Sequence, residues 1–144
     1  MFILNLQLKN DTIFLGELTL CSVLLMNNAK FPWVILVPKR LDAVEIIDLP
    51  QDERTILMEE ISQVSKVIKE TYWPDKINIA ALGNIVPQLH VHIIARFKTD
   101  DVWPDPVWGK GSKPYSENGI IETTEILRRE LKKIDSFHTV ANEP

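Results

Sequence analysis

The sequence predicts an α+β domain built around an antiparallel sheet, and three observations carry that prediction. The first third of the chain reads as short β-rich runs divided by turn residues. A long stretch beginning near Pro50 changes to a helical period. Two further β-rich runs follow, and a second helical pattern comes near the C-terminus. Strands grouped with strands, rather than alternating singly with helices, favour antiparallel pairing.

In order, Phe2–Leu8 alternates apolar and polar residues and is expected to be a strand, followed by a shorter apolar run at Thr12–Leu15. Cys21–Met26 and Trp33–Val37 are β-rich, and the intervening "NNAKFP", with Asn27, Asn28 and Pro32, suits a hairpin connection. Beyond Pro50, the residues Leu57, Ile61, Val64 and Ile68 recur at spacings of four, three and four, which puts one apolar stripe on a helix. Pro50 and the acids Asp52 and Glu53 suit its first turn, and Pro74 closes it. "KINIAAL" and "VPQLHVHIIAR" read as two more strands joined through Gly83 and Asn84. The Pro-, Trp- and Gly-rich region Lys98–Lys113 is expected to be an ordered loop. "ENGIIETTEILRRELKKI" then forms a helix on Ile120, Ile121, Ile126, Leu127, Leu131 and Ile134. The whole chain, 1–144, is read as a single domain: a core at about 22–97, a loop and helix at 98–135, and a tail at 136–144 expected to fray.

Composition narrows the function classes. With 45% hydrophobic and 25% charged residues the chain has the balance of a soluble globular protein. A net charge of −4 gives no reason to expect binding to a nucleic-acid backbone. The single cysteine, Cys21, rules out an internal disulfide framework and fits buried apolar filler in a reducing compartment. Asn5, Gln7, Lys9, Asn10 and Asp11 break any apolar run at the start, and no stretch approaches the ~20 apolar residues of a membrane span. Cytoplasmic location, with neither membrane nor nucleic-acid partner, is the expectation.

Two of the three histidines fall together in "VPQLHVHIIAR". On a strand, Gln88, His90, His92 and Arg96 share one face, while Leu89, Val91, Ile93 and Ala95 take the other. The apolar face has a core to join. The polar row admits three readings: hydrogen-bonded residues on a half-buried sheet, two imidazole ligands of a metal site, or nucleophilic catalysis. A metal wants a third ligand, and the remaining histidine, His138, lies in the expected tail. A neutral, well-aimed imidazole is a good nucleophile toward phosphorus, and a second one could donate hydrogen bonds to phosphate oxygens as charge builds. That reading uses the whole row and needs neither a metal nor an organic cofactor.

"VPQLHVHII" resembles the signature of the histidine triad (HIT) family, alternating histidines and apolar residues, with Gln88 in the place of the first histidine. The resemblance runs from about Ser22 to Arg96. "INIAALGNIVPQLHVHIIAR" is similar to the segment that precedes and contains the triad, and "LLMNNAKFPWVILVP" to the nucleoside-binding hairpin. "WPDPVWG" looks like a feature of a bacterial subgroup that also carries the glutamine.

The family fold implied is a five-stranded antiparallel sheet with two main helices. The implied activity is nucleotide hydrolysis or nucleotidyl transfer at the α-phosphate of a nucleotide conjugate, such as a dinucleoside polyphosphate or nucleoside phosphoramidate. The family's middle histidine is the nucleophile, which puts His90 in that role, its tautomer fixed by a backbone carbonyl. His92 would contact phosphate oxygens. Asn78 would order phosphate or leaving group, Asn27 or Asn28 would meet the ribose, and Asn84 would lie on the substrate side. Leu25, Phe31 and Ile35 are candidates for the base pocket. A homodimer is implied, pairing across the long helix and a sheet edge. Three departures stand out: Gln88 cannot shuttle a proton near neutral pH, Trp33 replaces a hairpin histidine, and Ile85 replaces a small hydroxyl residue. A nucleotide-binding or regulatory module with little turnover is the rival from another class.

Overall fold

The computed structural model describes residues 1–139. Strand β1 (Thr12–Glu17) pairs with β2 (Cys21–Met26), and β2 pairs with β3 (Trp33–Pro38). Helix α1 (Leu6–Asp11) precedes these strands, and after them come α2 (Gln51–Tyr72), β4 (Lys76–Ala80), β5 (Val91–Arg96) and α3 (Glu117–Leu131). The five strands form one antiparallel sheet in the order β1-β2-β3-β5-β4. Because β5 inserts between β3 and β4, the histidine strand lies inside the sheet rather than on an edge.

Alternation along the strands divides the interior in two. Leu15, Val23, Val34, Leu36, Val91, Ile93 and Ala95 face α2 and α3. Leu24, Trp33, Ile35, Val37 and Ile94 face the opposite way, into a second cluster. Every residue of β3 and of β5 is buried, so neither strand can show the clean in/out alternation of a half-solvated one. The predicted stripe of α2 does what its period requires: Leu57, Ile61, Val64 and Ile68 are all buried. Burial of such a side chain is worth roughly 1.5–3 kcal/mol. The helix ends at Trp73, in left-handed conformation with its N–H on Lys69 O, immediately before Pro74.

Two expectations are corrected. Phe2–Leu8 is not a strand: the chain has no regular structure up to Asn5 and then forms α1 (Leu6–Asp11). The Asn5 side chain accepts from Gln7 N at 2.8 Å and caps the helix, a local bond that strand pairing would forfeit. Phe2, Leu4 and Leu8 pack together against the second cluster instead of alternating across a sheet. The tail is also held where fraying was expected. Phe137 is buried, and Glu17 and His138 exchange both backbone hydrogen bonds, at 2.8 and 3.0 Å, on the outer side of β1. The rest of that tail, 140–144, lies outside the described residues.

Candidate functional site

The histidine row sits where the chain enters β5, on the face turned away from α2 and α3. Leu89 anchors the entry, its N–H donating to Ala43 O at 2.9 Å and its side chain lying in the helix-side core. His90 and His92 then share the other face, 6% and 5% exposed, with ring centroids 4.9 Å apart and planes at 71°.

Their tautomers follow from their partners. His90 Nδ1 lies 2.7 Å from Gln88 O. A carbonyl can only accept, so Nδ1 carries the proton and Nε2 keeps its lone pair. His92 is the mirror case. The indole Nε1–H of Trp33 donates to His92 Nδ1 at 3.0 Å, and an indole can only donate, so the His92 proton sits on Nε2. The pair therefore offers one nucleophilic nitrogen and one N–H donor. Burial, and then the neighbouring His90, push the His92 pKa down to about 3, so His92 is neutral near pH 7.

In the sequence, Trp33 stands out only as the loss of a relay histidine. In the sheet it is the orienting partner of His92. Ile35 pairs directly with His92, which leaves Trp33 as the diagonal neighbour on the same face, within reach of a long aromatic side chain. Trp108 closes the other side, edge-on to His92 at 5.1 Å and to Trp33 at 5.9 Å.

Trp108 belongs to the loop after β5, and Arg96 fastens that loop. Arg96 is 1% exposed. Its Nε and Nη2 donate to the two oxygens of Asp100 at 2.9 and 3.1 Å, and its Nη1 donates to Asn78 Oδ1 at 3.0 Å. The guanidinium lies over the rings of Phe31 and Trp103. Asp100 also accepts from the N–H groups of Phe97, Val102 and Trp103. Desolvation raises the Asp100 carboxyl, but Arg96 and these amides outweigh it and hold the group below its ordinary value.

The sequence-predicted residues are distributed unevenly. His90 and Gln88 line a cleft of ≈ 280 Å³ with Ile46, Ile47, Leu82 and Pro87. Asn27 and Asn28 line another, of ≈ 480 Å³, with Met26, Trp33 and Trp108. Asn27 Oδ1 accepts from Tyr115 N, and the buried Asn28 gives its oxygen to Lys30 N. Asn78, on β4, has its oxygen taken by Arg96, and Asn84 is exposed in the β4–β5 connection. Leu25 packs on the helix side of the sheet, away from the histidines, while Phe31 and Ile35 lie in the cluster beneath them. Gln88 turns its side chain to the N-terminal segment: Oε1 accepts from Asn5 N at 2.8 Å and Nε2 donates to Ile3 O at 2.9 Å. No sequence signal linked positions this far apart. Among the described residues, no group of three His, Cys, Asp or Glu side chains comes together to hold a metal ion. No helix among them is long and apolar enough to cross a membrane.

The model of the HIT domain matches residues 7–99, more than half of the chain. The chain belongs to the histidine triad (HIT) family. A HIT protein of Bradyrhizobium japonicum is 50% identical, with a TM-score of 0.87 over 90% of this chain and 98% of that one. Another, from Marinobacter aquaeolei, is 45% identical, with a TM-score of 0.90 over 93% and 98%. The bis(5'-adenosyl)-triphosphatase of Saccharomyces cerevisiae is 34% identical over 74 residues, 48% of this chain but only 36% of that enzyme. The HIT similarity to the solved structures thus includes the C-terminal loop and helix, beyond residue 99.

Proposed function

We propose that this HIT protein transfers a nucleoside monophosphoryl group from a nucleotide conjugate to water or another acceptor, through a covalent bond to His90. The observation that carries the reading is the pair of opposed tautomers, one nitrogen bare and one protonated, on adjacent rings. The His90 Nε2 lone pair attacks the α-phosphorus. The N–P bond forms as the bond to the leaving oxygen breaks, and that oxygen keeps the electron pair. The ring gains positive charge while its proton stays on Nδ1, donated to Gln88 O. The neutral His92 Nε2–H donates to a phosphoryl oxygen as charge develops there. Water then attacks phosphorus, the N–P bond returns its pair to Nε2, and the water's proton passes to solvent. One water is consumed; a nucleoside monophosphate and the leaving group are released.

The proton inventory supports a leaving-group class. Both ends of the Gln88 amide are bound to backbone, and an amide is no acid at neutral pH. His92 holds only the proton of a neutral imidazole, and Trp33 stands where the resemblance led to a histidine. A leaving group that departs as a stable anion suits this site best. Phosphoanhydrides, such as dinucleoside polyphosphates, meet that condition; phosphoramidates, whose amine must be protonated to leave, meet it poorly. The partial match to a dinucleoside triphosphatase agrees. We assign the nucleoside to the ≈ 480 Å³ cleft beside Trp33 and Trp108, with the amide N–H₂ of Asn27 toward the ribose. Dimerisation through the outer edge of β4 is part of the reading: Ile79 there is 51% exposed and Leu82 beside it 44%, and light scattering tests it.

The deciding experiment traps radiolabelled nucleoside monophosphate on the protein. An acid-labile label that is absent from His90→Ala supports the reading. A panel containing diadenosine polyphosphates and adenosine phosphoramidate should show turnover of the former by a wide margin. If nucleotide binds but no label is ever trapped and nothing turns over, the protein is a binding module. If His90→Ala turns over substrate at the parent rate, His90 is not the nucleophile.

A further inference from the structure

Gln88 is held from two sides. Its side-chain amide accepts from Asn5 N and donates to Ile3 O, the pattern by which one residue of a parallel strand pairs across Leu4. Its main-chain carbonyl accepts the Nδ1 proton of His90. The segment it grips is itself anchored: Leu8 is buried, Phe2 and Leu4 pack on the cluster that contains Trp33, and Asn5 caps α1. The 88–89 peptide, which carries this carbonyl, is fastened on its other side by the bond from Leu89 N to Ala43 O. The carbonyl that sets the nucleophile's tautomer therefore belongs to a residue bolted down by chain more than 80 positions away.

We propose that Gln88 is a positioning residue: by clasping residues 3–5 with its side chain it fixes the main-chain carbonyl that keeps the His90 proton on Nδ1. On this view the glutamine acts through backbone geometry, and the N-terminal segment is part of the machinery that orients His90. A neutral amide suits the task because it presents a donor and an acceptor side by side in one plane, matched to Ile3 O and Asn5 N. The proposal rests on His90 being the nucleophile, but its first readout does not.

Gln88→Met keeps the bulk of the side chain and deletes both clasp bonds. Asn5→Pro deletes one, by removing the N–H that Gln88 Oε1 accepts; the Asn5 φ of −54° is close to what proline requires. Asn5→Ala is the control, losing the α1 cap while keeping the N–H. In Gln88→Met, hydrogen exchange at the Asn5 amide should quicken at least about tenfold. The ¹⁵N signals of His90 in Gln88→Met and Asn5→Pro, but not in Asn5→Ala, should move from a single Nδ1–H form toward a mixture. Turnover of a dinucleoside polyphosphate should follow, with kcat down about tenfold, the worth of one ordinary hydrogen bond, and KM little changed. An unchanged Asn5 exchange rate would mean that the clasp does not form. A loosened clasp with His90 still in one tautomer and kcat intact would overturn the proposal. Parent-level turnover by His90→Ala would instead sink the catalytic reading, leaving the ¹⁵N result to judge the clasp alone.

Discussion

Acidification should destabilise this protein through His92, by an amount its surroundings allow to be worked out. The ring is 5% exposed, beside His90, and its Nδ1 already receives the Trp33 indole N–H. A second proton would have to go on Nδ1, where it would face that N–H, donor against donor. The folded pKa is accordingly lowered from 6.5 to about 3. A lowered folded pKa means that the unfolded chain binds the proton more tightly. The stabilisation is thus complete above about pH 6.5, shrinks as pH falls below it, and is gone by about pH 3. At about pH 4.5, two units below the unfolded value, the loss amounts to about 3 kcal/mol at 1.36 kcal/mol per unit. That is a large share of the ~5–15 kcal/mol typical of a domain. Urea unfolding of parent and His92→Gln at about pH 7 and pH 4.5 isolates the effect. Glutamine can still accept from Trp33 but does not titrate, and the other ionisable groups are common to both proteins. The parent should lose about 3 kcal/mol more than the variant over this interval. A difference under about 1 kcal/mol, or an NMR titration placing His92 above about pH 5.5, would refute the reasoning and reopen a proton-donating role for His92.

Other perturbations should follow from the same structure. Arg96→Met leaves Asp100 charged and buried and should cost about 3–5 kcal/mol in urea unfolding, with Arg96→Met/Asp100→Leu recovering part of it. Glu60→Ala strips the partners from two buried amides, Leu20 N and Cys21 N, and should cost about 3 kcal/mol by the same measurement. At Gly16 an added Cβ would meet His138 O and the Phe137 ring, so Gly16→Ala should cost about 1–3 kcal/mol and quicken hydrogen exchange at His138. His92→Ala should cut nucleotidyl transfer by on the order of 10²–10³, through loss of one donor to the phosphoryl oxygens.

The sequence by itself determined the elements whose pattern is local. A 3.6-residue period can bury Leu57, Ile61, Val64 and Ile68 together only on a helix, and α2 follows. The apolar runs at Cys21–Met26 and Trp33–Pro38, divided by turn residues, pair as a hairpin. The histidine spacing was equally legible, because a period of two puts His90 and His92 on one face in any strand. Tertiary structure alone decided what those histidines touch. Trp33 reaches His92 only because β5 lies next to β3, a neighbour 59 residues away in sequence. Trp108 arrives on a loop whose course is set by the buried Arg96–Asp100 pair. The N-terminal segment kept its apolar residues but not the expected strand, because a cap at Asn5 and the open second face of the sheet offered a better use for them. Hydrogen-bond partners and desolvation depend on distances through space, which periodicity cannot carry. The chain therefore spelled out that two imidazoles would share one face, while packing fixed the position of each proton on them.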